Sequence, residues 1–485
     1  MTIHDMIAET AGALPKAPAL RAVDRPPLTY AALMRQIDYT VAALNGLGIG
    51  RGDCVAMVLP NGPEMAAAFV SVAAAATTAP LNPAYKRDEF DFYLSDLNAA
   101  ALLVLDGMAS PALDVARDEA KAAGLFTITG EARSSAPQAG LAGADDVALV
   151  LHTSGTTSRP KVVPLSHGNL TTSAANIHRI LQLSADDRCL NVMPLFHIHG
   201  LAATVLATLS AGGSVFCTPG FDAMRFFRWF DEAQPTWYSA VPTMHQAIVA
   251  RSGRNPAALA GSGLRFVRSS SAALPPRLMD ELERVFGCPA IEAYGMTEAA
   301  HQMASNPLPP ARRKHGSVGI AAGPEIAVMN EQGVLLSEGE SGEVVIRGAN
   351  VMTGYAGNAE ANATAFTDGW FRTGDQGRID ANGYLFLTGR LKEMINRGGE
   401  KISPREIDEV LLEHPAVDQA LAFALPHPRL GEDVGAVIVL RDGDTASEQD
   451  LRHHVASHLA DFKVPRRIVF LAEIPKGPTG KLQRI

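Results

Sequence analysis

The sequence predicts an α/β protein. A large N-terminal domain of α/β sheets over residues 1–390, with a β-rich subdomain from about 316 to 390, is followed by a small α+β domain over 391–485. Three observations predict it. The chain has 485 residues, enough for two to four units at roughly 100–200 residues each. Strand-like and helical runs alternate through the first two thirds, which is the signature of βαβ units and a parallel sheet. The texture then changes twice, near Gly316 and after Arg390.

The elements follow in order. CVAMVLP at 54–60 is a short apolar run after the turn GIGRGD, PEMAAAFVSVAAAA is helical, and ALLVLD at 101–106 is strand-like again. The apolar stretch 65–79 is mostly alanine and ends in prolines, so it reads as a buried helix and not as a membrane span. GLGIGRG precedes a strand instead of following one, which excludes a dinucleotide fingerprint there. Residues 127–146 are small and polar, as in a surface connection. VALVLH at 147–152 is a strand that runs into a Thr/Ser/Gly-rich loop. From 316, SVGIAAGPEIAVMN, GEVVIRG and GYLFLTGR are short strands split by glycine turns. After 390, PREIDEVLLEHP and EQDLRHHVASHLA are helical and flank the strands QALAFALP and AVIVLR. There is no internal repeat.

Composition excludes several classes. With 47% hydrophobic and 19% charged residues the chain is globular, not disordered. A net charge of −9 argues against a dedicated nucleic-acid binder but leaves room for a small anion in a pocket. Cys54, Cys189, Cys217 and Cys288 stand singly, with neither zinc-ribbon nor thioredoxin spacing. That fits a reducing compartment. With no signal-peptide pattern at the start and no S-K-L at the end, a cytoplasmic location is expected.

The loop HTSGTTSRPK at 152–161 carries the first chemistry. Small hydroxyl residues and a glycine let backbone N–H groups and side-chain hydroxyls converge on an anion, and Lys161 adds positive charge. It is not a Walker A loop, and composition alone fits a polar surface turn equally well. The order TSGTTxxPK is the specific part. It resembles the phosphate loop of the adenylate-forming superfamily, which holds acyl-CoA synthetases, luciferases and peptide-synthetase adenylation domains. Ser158 stands where that pattern has glycine.

The resemblance continues along nearly the whole chain and implies a set of roles. Thr153, Ser154, Gly155, Thr156, Thr157 and Lys161 would cradle the ATP phosphates. MPLFHIHG at 193–200 would bring His197 beside the reacting carboxylate. Ser271 and Ala272, in FVRSSSAAL, and Glu292, Ala293 and Tyr294, in EAYGMTE, would line the AMP site, with Tyr294 against adenine. Thr297 would donate to the α-phosphate, and Glu298 would hold Mg²⁺, a hard cation suited to oxygen ligands. Asp375, in GWFRTGDQG, would grip the ribose hydroxyls, assisted by Arg390. Gly389 precedes that arginine where many relatives have aspartate.

Lys392 would be a hinge, and Gly398, Gly399 and Lys401 a loop that swings toward the pantetheine of coenzyme A. Lys481, in PKGPTGK, would reach the acyl carboxylate and α-phosphate. Since Lys481 and the pantetheine loop cannot share one face of a small site, the resemblance implies a rotating C-terminal domain.

The implied activity is AMP-forming acid–CoA ligation. ATP converts a carboxylate to an acyl-adenylate, then coenzyme A takes the acyl group. HTSGTTSRPK, PLFHIHGL, FVRSSSAAL, YGMTEAAHQMASNPLP and INRGGEKISP together resemble the oxalate–CoA ligase group. The acid end carries Arg268, Ser270 and His301, more polar than a fatty acid would want, so a small dicarboxylate is the leading substrate. Medium-chain fatty acids, coumarate-like aryl acids, and a stand-alone adenylation domain charging a carrier protein are the competing readings. A non-catalytic scaffold is disfavoured because Thr297, Glu298, Asp375 and Lys481 are all present.

Overall fold

The computed structural model describes residues 1–116, 126–127, 136–153, 160–477 and 481–482. Four sheets organise them. In the first, Phe126–Thr127, Ala101–Leu103, Cys54–Met57, Thr77–Pro80 and Val147–Thr153 run parallel, and Lys161–Ser166 closes the edge antiparallel. The expected βαβ unit is here, with helix Pro63–Ala73 as its crossover. One detail is corrected. The apolar stretch 65–79 is not one helix, because it stops at Ala73 and Thr77–Pro80 forms a strand between Cys54–Met57 and Val147–Thr153. Two consecutive β-branched threonines favour the extended backbone there, and both hydroxyls donate to carbonyls of the neighbouring strand.

The second sheet has nine strands. Its parallel centre is Pro18–Ala22, Ser214–Cys217, Arg188–Asn191, Trp237–Ala240, Phe266–Ser269 and Ala290–Met296. Ser214–Cys217, Trp237–Ala240 and Phe266–Ser269 are buried along their whole length, as a parallel sheet covered on both faces requires. Helix Pro276–Phe286 shows why the covering elements form. Leu278, Met279, Leu282 and Phe286 make one apolar stripe, and Gly287 ends the helix in the left-handed conformation at φ 64°. A shared core joins the two sheets, with Val55 and Leu149 from one, Val215 from the other, and Phe69, Val70, Leu201 and Val205 from helices between them.

The third sheet is antiparallel and runs Glu325–Met329, Gly342–Arg347, Trp370–Ile379, Phe366–Thr367, with Leu385–Arg390 added on Trp370–Ile379. The fourth joins Ile395–Arg397, Glu400–Ile402, Val417–His427, Gly431–Leu440 and Arg467–Phe470. Helices Pro404–Glu413 and Glu448–His458 cover it with Ile407, Leu411, Leu451 and Val455, around a core of its own. Among the described residues, no helix is long and apolar enough to cross a membrane.

Candidate active site

Trp237–Ala240, Phe266–Ser269 and Ala290–Met296 run parallel, so their C-terminal ends share one edge of the sheet, the edge along which open α/β sheets form their ligand crevice. Arg268 lies on the middle strand and is completely buried. Its guanidinium donates to the Ser239 hydroxyl at 3.3 Å and to the Gln302 side-chain carbonyl at 3.2 Å. Both acceptors are neutral. Among the described residues no carboxylate pairs with it, and burial pulls its pKa down to about 9, which leaves it charged near neutrality.

Three histidines gather beside this cation. His199 is buried between two serines, its Nε2 at 2.6 Å from the Ser239 hydroxyl and its Nδ1 at 3.0 Å from the Ser271 hydroxyl. A guanidinium only donates, so Ser239 accepts from Arg268 and keeps its own proton for His199. The His301 ring stands 5.1 Å from that of His199, and its buried Nδ1 has no hydrogen-bond partner among the described residues. Burial holds both rings well below the usual histidine range, and the Arg268 and Lys481 charges push the same way. His197, pushed down to about 3 by burial and then by Lys481, accepts the His199 amide at Nδ1. All three are therefore neutral near pH 7.

The backbone is shaped to hold this end. Ser271 has φ 73°, and Ala300 and His301 have φ 48° and 88°, a left-handed conformation that costs a side-chain-bearing residue about 1–3 kcal/mol. Opposite them Gly295 is obligatory, since a Cβ there would sit 1.7 Å from the His301 carbonyl oxygen.

The other end of the crevice is charged and internally paired. Asp375 is buried, accepts from Arg390 Nε at 2.9 Å, and accepts the Tyr294 hydroxyl. The Asp375 charge raises the Arg390 pKa. Glu298 is buried and accepts the Tyr355 hydroxyl at 3.0 Å; burial raises its pKa, against the pull of Tyr355, Arg390 and Lys161. The Lys161 ammonium lies 4.3 Å from the centre of the Tyr355 ring. Lys481 reaches the same place from the C-terminal segment. Burial and then Arg390 pull its pKa down to about 8, while Asp375 and Glu298 pull it back up.

The structure thus brings together Lys161, Tyr294, Glu298, Asp375, Arg390 and Lys481 at one end and His197, Arg268 and His301 at the other. Thr297 opens the 3₁₀ turn Thr297–Ala299, and Ser271 and Ala272 form the loop after Phe266–Ser269. Glu292 accepts the Leu274 amide at 2.9 Å, which fixes the far end of that loop. Thr153 ends its strand, while Ser154, Gly155, Thr156 and Thr157 lie outside the described residues.

Ser270 corrects an expectation. Its single hydroxyl proton goes to the Ala293 carbonyl at 2.9 Å, so it has none left to offer a substrate carboxylate. Lys392 and the hairpin of Gly398, Gly399 and Lys401 are exposed, and Lys401 pairs with Glu331 at 3.4 Å.

Sequence reading missed His199, Ser239, Gln302 and Tyr355. The second histidine of MPLFHIHG was the one available signal for His199. It opens a π-helical segment, His199–Leu206, a form often found at functional sites.

The profile of the AMP-binding enzyme family matches residues 7–356, and that of the AMP-binding enzyme C-terminal domain matches residues 406–481. An oxalate–CoA ligase of Arabidopsis thaliana is 42% identical over 100% of this chain and 97% of its own length. One of Saccharomyces cerevisiae is 41% identical over 90% of this chain and 86% of its own. The crystal structure of ATP-bound MatB from Rhodopseudomonas palustris superimposes with a TM-score of 0.89 at 29% identity, covering 100% of this chain and 97% of that one.

Proposed function

The chain belongs to the AMP-binding enzyme family, and on that premise we propose that it is an AMP-forming ligase joining oxalate to coenzyme A. The observation that carries the choice of acid is Arg268, a buried cation whose partners among the described residues are neutral. A buried charge without a counter-charge is costly, and a dianion would supply one. One carboxylate of oxalate reacts at the phosphate, and the other accepts from Arg268, with the unpartnered His301 Nδ1 beside it. Fatty and aryl acids bring no second anion.

In the first step a carboxylate oxygen attacks the α-phosphorus of ATP. The bond to pyrophosphate breaks, pyrophosphate leaves, and the acid is held as a mixed anhydride with AMP. Lys481 offsets the negative charge that builds on the oxygens around phosphorus, and Thr297 donates to the α-phosphate. Asp375 and Arg390 hold the ribose. Arg268 and His301 orient the distal carboxylate, while His199, held between Ser239 and Ser271, positions the groups around them.

Glu298 and the Thr297 hydroxyl offer hard oxygens at the phosphate end, and burial makes the carboxylate costly unless a cation or proton meets it. That fits Mg²⁺, which when bound supplies charge neutralisation for the phosphates. In the second step the coenzyme A thiolate attacks the adenylate carbonyl and AMP leaves. For this the domain over 391–485 turns about Lys392, withdrawing Lys481 and bringing Gly398, Gly399 and Lys401 to the pantetheine. The lone cysteines fit a cytoplasmic enzyme.

The test is pyrophosphate release, as kcat/KM, with oxalate, malonate, acetate, octanoate and coumarate. Oxalate should lead. In Arg268→Leu it should lose about tenfold to a hundredfold, the equivalent of one charge-assisted hydrogen bond of about 1.5–3 kcal/mol. Preference for octanoate or coumarate in the parent enzyme would sink the assignment. Turnover only with a carrier protein would make the chain an adenylation domain.

A further inference from the structure

Away from the crevice, helices Pro404–Glu413 and Glu448–His458 pack side by side on the fourth sheet. Glu413 is the last residue of the first helix. His454 and His458 are four apart on the second, so they share a face. One ligand atom from each of the three lies within 4.8 Å of the others. Among the described residues this is the only group of three such side chains drawn together. We propose that Glu413, His454 and His458 form a binding site for a divalent transition-metal ion of the zinc class.

Four features support it. The ring of His454 uses Nε2–H to donate to the Val410 carbonyl at 3.0 Å. The ring of His458 uses Nδ1–H to donate to the His454 carbonyl at 2.8 Å. A carbonyl can only accept, so each ring is fixed in one tautomer with a lone pair on its other nitrogen. Metal-binding histidines are oriented in this way, by a hydrogen bond from the nitrogen that does not bind.

The spacing also suits a metal. Bonds of about 2.0–2.1 Å in a tetrahedral site put ligand atoms about 3.3 Å apart, so small rotations from the present separation suffice. The His454 and His458 rings are 4.6 Å apart, and the His414 ring closes one side edge-on, 5.2 Å from His454. The donor set is two imidazoles and one carboxylate, with the fourth position open to water. That set suits zinc, nickel or copper and not a hard cation such as Mg²⁺.

Isothermal titration of the full-length enzyme with Zn²⁺, in buffer with excess Mg²⁺, is the test. One Zn²⁺ should bind, and His458→Ala and Glu413→Gln should each weaken that event at least tenfold. Both residues are exposed, and the carbonyl that His458 meets also accepts from Ser457, so either change should alter the metal-free melting temperature only slightly. Co²⁺ should give visible absorption bands in the parent and lose them in His458→Ala. If both variants bind Zn²⁺ within twofold of the parent, or the parent binds none, the site does not exist.

Discussion

The two ends of the crevice solve opposite electrostatic problems. At the nucleotide end the Asp375 charge is already matched, held between Arg390 and Tyr294, and Glu298 accepts a hydrogen bond from Tyr355. At the acid end one guanidinium is buried among neutral partners and three neutral histidines. A matched site stands without its ligand, and the ligand must enter by exchanging partners. An unmatched site carries a standing cost that only a ligand of opposite charge relieves. On the proposed function, the first arrangement would serve every acid activated and the second would select among acids.

The largest effect should come from the residue that faces both ends. Lys481→Ala should lower adenylate formation by about 10²–10³, the loss seen when one charge-stabilising donor is removed. Thioester formation from supplied acyl-adenylate should remain, because the proposed domain turn withdraws Lys481 in that step. Measuring the half-reactions separately decides it, and an equal loss in both would contradict the two-position account.

Stability should separate the ends next. Arg268→Met removes an unmatched charge and keeps most of the volume, so unfolding free energy should stay level or rise, by up to about 1–4 kcal/mol. Arg390→Met leaves the buried Asp375 carboxylate without its ion-pair partner and should cost about 1–3 kcal/mol, toward the low end because Arg390 is half exposed. Denaturant unfolding of the two variants checks the contrast, and a loss in both would mean that Arg268 is matched after all.

Glu292 supplies a third test, on pH. Burial raises its pKa from the ordinary 4.5 to about 7, against the pull of the Leu274 amide and Arg405. The folded state therefore binds a proton that the unfolded state has released between those two values. Stability is lost as pH rises through that window, by about 3 kcal/mol at most. Glu292→Gln can still accept the Leu274 amide but cannot ionise. Its melting temperature should match the parent near pH 4.5 and exceed it increasingly up to pH 8. Parallel curves would show that Glu292 is ionised without penalty.

How much of this was legible depends on how local each cause is. Sheet class, the βαβ unit and the paired C-terminal helices follow from periodicity and turn residues, which act over a few residues. The clustering of Tyr294, Glu298, Asp375 and Arg390 was legible because most of them sit in contiguous motifs such as AYGMTE and GWFRTGDQG. The acid end was legible only in part. Arg268 and His301 stood out as polar residues in apolar text, but their partners come from elsewhere in the chain. Ser239 meets Arg268 because their strands pair in register, and His199 arrives from a π-helical segment. The outcome for Ser270 turned on one hydroxyl proton, which no sequence pattern records.

The smallest effect expected concerns how the nucleotide end holds Lys481. In the free protein its pKa is drawn down to about 8, so it carries its charge below that value and loses it above. The charged form is the one that can offset developing negative charge, so adenylation should fall as pH rises through about 8. ATP and oxalate bring anionic oxygens beside the ammonium, which favours the charged form and shifts the fall upward. A profile of kcat/KM reports the free enzyme and one of kcat reports the complex. The kcat/KM for ATP should therefore decline by a few fold between pH 7.5 and pH 8.5 or so, while kcat holds to higher pH. Arg390→Met removes the second cause of the depressed value and should move the kcat/KM inflection upward. An inflection that stays in place would mean that burial alone sets the charge of Lys481, and that the nucleotide end is less tightly coupled than its hydrogen bonds suggest.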